Sequence, residues 1–99
     1  MPDLRTFADF DRLLAATRIE VDRLAAQWTD DGALDSVRLQ LEALHGWTRG
    51  GRRPVQDEKD KLNFGLIASR ELGDYEIASD LYALSSFVTW WGEPGRPPY

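Results

Sequence analysis

Phe7, Phe10, Leu14, Thr17, Val21, Leu24 and Trp28 follow one another at alternating intervals of three and four residues. That spacing fits only a helix that buries one stripe, because a strand needs a period of two. Thr17 is the one polar member of this a/d-type seam, and Leu4, Leu13 and Ile19 widen it. Asp3 or Thr6 can cap the start; Thr6 followed by Asp9 has the spacing of a capping box, with Asp in place of Glu, and Asp30-Asp31-Gly32 ends the helix.

The rest of the chain repeats the pattern. Leu34, Val37, Leu41, Leu44 and Trp47 carry a second helix over about 33–48, with Asp31 as its cap. Arg49-Gly50-Gly51-Arg52-Arg53-Pro54 breaks it. A third helix is predicted over 55–72, with Val55, Leu62, Leu66, Ile67 and Leu72 inward and Phe64 apart from that stripe. Gly65 weakens this helix unless a neighbour packs closely on it. Gly73 and Asp74 read as a stop and a start, giving a two-residue hairpin. A fourth helix follows over 75–91, on Ile77, Leu81, Leu84, Val88 and Trp91, broadened by Tyr75, Ala78, Tyr82 and Phe87.

The fold expected is therefore all-α: a four-helix up-down bundle with a long first helix and an extended Pro-rich C-terminal tail. Residues 1–92 form the single helical domain and 93–99 the tail, which ends in Tyr99. A first helix of roughly 25 residues is about 37 Å long, against about 24 Å for the others. It should overhang, leaving Leu4, Phe7 and Phe10 to be covered by the tail or by a second copy of the chain, so a homodimer is expected.

Composition narrows the function. Seventeen acidic residues against 12 basic ones give a net charge of −5. Such a chain is repelled by nucleic acid and by anionic membrane surfaces. No apolar run is long enough for a transmembrane helix, and the N-terminus lacks the pattern of a signal peptide. With no cysteine, thiolate chemistry and Cys-ligated metals are excluded, which is compatible with the cytoplasm. The ten arginines against two lysines are a compositional hint of a bacterial source.

Alternating helix directions gather Trp47, Trp90, Trp91, the Arg49–Arg53 loop and the tail at one pole, with Trp28 at the other. Of the adjacent pair, Trp91 is expected inward and Trp90 outward. Trp47, Arg49, Arg52, Arg53, Trp90 and Tyr99 are thus the candidate binding surface for a partner or ligand, since Trp, Tyr and Arg dominate binding hot spots. The loop glycines and arginines are suited to an anion, but an exposed charge run is more often a solvated interhelical turn, so a small-ligand or anion sensor is a second reading. Glu42-Ala-Leu-His45 has the i,i+3 spacing of di-metal bundles, but the seams supply no partner carboxylates. A dimeric metal bundle is the remote reading, and no metal or cofactor is assigned. The serines have only His45 for a base, so no catalytic residue is assigned either and the chain is read as non-enzymatic.

Tyr75-Glu76-Ile77-Ala78-Ser79-Asp80, together with the closing Pro97-Pro98-Tyr99, resembles the C-terminal part of a small helical immunity protein that neutralises a type VI secretion toxin. The resemblance implies a helical homodimer that binds a toxin tightly and has no chemistry of its own.

Overall fold

A computed structural model describes residues 4–91; the predicted tail, 93–99, lies outside them. Helix α1 spans Phe7–Gln27, α2 Gly32–Thr48, α3 Gln56–Asp60, α4 Phe64–Glu71 and α5 Ile77–Trp90, with a 3-10 turn at Arg49–Gly51. The fold is an all-α helical bundle, with no strand among the described residues.

Each long helix begins where the sequence can satisfy its free amides. Thr6 Oγ1 accepts from the Asp9 amide at 3.1 Å. Asp31 Oδ1 accepts from the Ala33 and Leu34 amides at 3.0 and 3.2 Å. Both caps are as the sequence reads.

Four helices close a ring through the pairs α1–α2, α2–α4, α4–α5 and α5–α1. Local contacts show the directions. Phe10 stacks on Phe87 near the start of α1 and the end of α5. Leu24 and Ile77 line one cleft at the opposite ends of the same two helices. Asn63, just before α4, bonds Gln40, whereas Ile67 shares a groove with Ala33 and Ser36. Neighbouring helices thus run antiparallel.

The core is the set of seams that this ring turns inward: Phe10, Leu14, Val21 and Leu24 from α1, Leu34, Val37, Leu41 and Leu44 from α2, Phe64 and Ala68 from α4, and Ile77, Leu81, Leu84, Phe87 and Val88 from α5. Fully burying such a side chain stabilises by about 1.5–3 kcal/mol. Among the described residues, no helix is long and apolar enough to cross a membrane.

Several expectations need correction. The third helix is two pieces, α3 and α4, broken at 61–63. A tertiary clamp sits at the break: Gln40 Nε2 donates to Asn63 Oδ1 at 2.6 Å, and the Asn63 amide donates to Gln40 Oε1 at 2.7 Å. The break resets the helical phase. Phe64, Ala68 and Leu72 turn inward, and the predicted core residues Val55 and Leu66 are exposed. Ile19 is exposed as well. At the end of α2 the buried residue is Thr48, one position beyond Trp47, and its Oγ1 donates to the Leu44 carbonyl at 2.8 Å. The α4–α5 connection is five residues, 72–76, and Asp74 is not its cap. Finally, α1 has 21 residues, so it exceeds the 17-residue α2 by about one turn rather than the larger overhang predicted.

Candidate functional site

The arginine loop is built around its glycines. Gly50 and Gly51 have φ of 73° and 90°, a region that L side chains rarely adopt. This folds the chain back onto the start of α1, where a Cβ on Gly51 would lie 3.7 Å from the Phe7 ring. Arg52 then ties the loop down. Its Nη1 donates at 2.9 Å both to the Trp47 carbonyl and to Glu58 Oε1. The same Glu58 oxygen accepts from the Val55 amide at 2.9 Å. Partial burial raises the Glu58 carboxyl pKa, but the Val55 amide and the Arg52 guanidinium outweigh it and the pKa is lowered. Arg52 is thus a structural tie between α2 and α3, while Arg49 and Arg53 are exposed at the loop surface.

The aromatic pole assembles as the alternating directions require. Phe7 stacks on Trp91 at 5.8 Å, Phe10 on Phe87 at 4.7 Å, and Phe87 meets Trp91 edge-on at 5.1 Å. Such contacts add about 0.5–1.5 kcal/mol per pair beyond burial. Trp91 is 6% exposed and Trp90 39%, so the pair divides inward and outward as its spacing requires. Trp47 is half-buried. Leu4, Phe7 and Phe10 were expected on an exposed overhang. Phe10 is instead fully buried, and Leu4 and Phe7 pack against the same core. Trp91 packs on Phe7 and Phe10, and the Gly51 turn lies against the Phe7 ring. Tyr99 lies outside the described residues.

Trp90 belongs to a wider surface. The exposed positions of α5 are Ser79, Tyr82, Ser86, Thr89 and Trp90, and none is charged. The ionisable carboxyl of α5, Asp80, is partly buried, and that burial raises its pKa. Beside Trp90, a cleft of about 380 Å³ opens between α5 and the α3–α4 bend, with Leu62, Phe64 and Val88 among its walls.

A second concavity lies at the opposite pole. A groove of about 900 Å³ is walled by the α1–α2 turn, the first turn of α2, and the end of α4. Trp28, Asp30, Asp31, Ile67, Glu71 and Tyr75 line it. Two signals in the sequence mark this pole: neither 24–37 nor 71–91 contains a Lys or Arg, and each holds several acids.

Among the described residues, no group of three or more His, Asp or Glu is arranged to hold a metal ion. Glu42 is exposed and His45 half-buried on α2. Ser79 Oγ donates to the Glu76 carbonyl, and Ser85 lies against Gly65. The chain matches no family model, no curated protein and no solved structure in the comparisons made.

Proposed function

We propose that this chain is a non-enzymatic, acidic protein-binding module of the immunity type, which acts by covering part of another protein with the Trp90 side of α5. One observation carries the reading: α5 exposes a stripe from Ser79 to Trp90 with no charge, in a chain of which 29% is charged. Interface centres are depleted of charge and enriched in Tyr and Trp, and both half-exposed aromatics of α5 lie on this stripe. Arg49 and Arg53 sit on the rim, where they contribute specificity more than affinity. The net charge of −5 accelerates encounter with a basic partner and makes the rate fall with salt. The similarity of residues 75–80 to an immunity protein points the same way.

The test is affinity capture from the source cell's own extract with the full chain and with Trp90→Ala and Tyr82→Ala, each checked by thermal melting. One stoichiometric protein should be held by the native chain. Its affinity should fall by about 2 kcal/mol or more on Trp90→Ala at an unchanged melting temperature. A parallel loss of stability and binding would show that Trp90 is part of the core and not of a binding surface.

A further inference from the structure

We infer that the groove around Trp28 is a docking site for an arginine- or lysine-bearing segment of a protein partner, with the Trp28 indole and the Asp30 and Glu71 carboxylates receiving the cation. The site is at the other pole from Trp90 and stands independently of the α5 reading.

Shape, charge and the state of the side chains all point to that occupant. The groove, at about 900 Å³, takes a short peptide segment rather than a single ion. Its lining contains Asp30, Asp31 and Glu71 and no basic residue. Asp74 and Glu76 follow Glu71 closely in the chain, and the nearest cations in sequence are Arg23, Arg38 and Arg70.

Four acids outside the groove are held in ion pairs. Asp9, Glu20, Asp35 and Glu58 each hold an arginine. Asp31 is occupied as the cap of α2. Asp30 and Glu71 take part in no ion pair or side-chain hydrogen bond among the described residues. Unpaired carboxylates on one concave surface repel each other, and a cation entering it removes that repulsion.

Helix ends add to the same sign. The C-termini of α1 and α4 reach this groove with their partial negative charge, while the positive N-terminus of α2 is already capped by Asp31.

Trp28 supplies the aromatic face. It is 52% exposed although it ends the apolar seam of α1. Its backbone is fixed: the amide donates to the Leu24 carbonyl at 2.8 Å, and its carbonyl accepts from the Asp31 amide at 3.0 Å. A half-exposed indole in one groove with unpaired carboxylates suits guanidinium, which stacks on a ring while donating to carboxylate oxygens.

The test uses the full chain and a fluorescein-labelled Gly-Arg-Gly-Arg-Gly-Arg amide, read by anisotropy, with the glutamate analogue as the negative probe. The arginine peptide should bind saturably and the glutamate peptide should not. Asp30→Asn combined with Glu71→Gln should weaken binding by at least about tenfold, and Trp28→Ala by a similar factor. Asp57→Asn combined with Asp60→Asn removes the same charge from α3 and should change affinity by less than about twofold. Amide shifts on titration should concentrate at 27–36 and 67–75. Absence of saturable binding, an equal loss from the α3 pair, or full affinity in Trp28→Ala would each overturn the inference. Trp90→Ala should leave the peptide affinity intact, so failure of the α5 reading is separable from failure of this one.

Discussion

Thr17 occupies an inward position of the α1 seam between Leu14 and Val21, 2% exposed, and its Oγ1 has no hydrogen-bond partner. A buried hydroxyl that loses water without gaining a partner costs about 1–3 kcal/mol. Thr17→Val removes the hydroxyl at nearly constant shape, keeps the branched Cβ, and leaves helix propensity almost unchanged. The variant should be more stable by about 1–2 kcal/mol, and in a chain of this size each kcal/mol moves the melting point by about 4–8 °C. Urea unfolding followed by circular dichroism at 222 nm measures the change directly, and an unaltered m-value shows that the midpoint shift is one of stability. Thr17→Ser keeps the hydroxyl and removes the methyl, so it should destabilise. An unchanged or lowered midpoint for Thr17→Val would refute the reasoning, because it would mean that the hydroxyl is bonded, to a water or to a backbone carbonyl one turn earlier.

Gly65→Ala gains helix propensity, yet its Cβ would meet Ser85 Oγ at 2.6 Å and Ser85 Cβ at 2.9 Å. A net loss of about 1–3 kcal/mol is expected in chemical denaturation, with much of it recovered in the double variant carrying Ser85→Gly. Trp91→Ala opens the Phe7–Phe10–Phe87 cluster and should cost about 3–5 kcal/mol by the same assay, where Trp90→Ala should cost little. Acid stability follows the lowered carboxyls. The Arg5 amide leads in holding Asp9 below its ordinary 3.8, and Arg23 in holding Glu20 below 4.5. Their contribution is present above those values and is lost as pH falls through the still lower folded ones. Melting temperature should therefore drop as pH is taken below about 4.5, and Asp9→Asn should flatten the drop. Asp80, raised by burial, works in the opposite sense over its own window.

The seams of α1, α2 and α5 were legible because each is a local pattern: a residue and its neighbours three or four positions away share a face whatever the rest of the fold does. Thr6 and Asp31 were legible for the same reason, a cap being decided within four residues. The region 55–72 was not, because its break is held by a contact between Asn63 and Gln40, 23 residues apart in sequence. With the helix restarting at Phe64, a stripe drawn through Val55, Leu62 and Leu66 belongs to no single helix. The cover over the start of α1 is likewise non-local. Residue counts give helix lengths but not the inward fold of the Gly50–Gly51 turn and Trp91 over Phe7. At the candidate site, the division of Trp90 from Trp91 was readable from helical spacing. The structural role of Arg52 was not, since it requires the Trp47 carbonyl and Glu58 to meet at one guanidinium.

The Trp28 groove has no local signature comparable to the three arginines within residues 49–53. Basic residues are absent from both chain segments that meet at this pole, and that absence has a physical consequence only after the fold brings 28–31 beside 67–75. The two ends then differ in charge: residues 49–61 carry five basic side chains against three acidic ones, whereas the groove lining carries three acidic side chains and no basic one. α5 joins the two ends, and its 14 residues measure about 21 Å. α2, whose first turn walls the groove, stands across the ring from α5, so the uncharged stripe and the acidic groove are separate surfaces. Apolar contacts on the stripe set how long a complex there lasts, whereas charge at the acidic pole sets how fast a basic segment arrives.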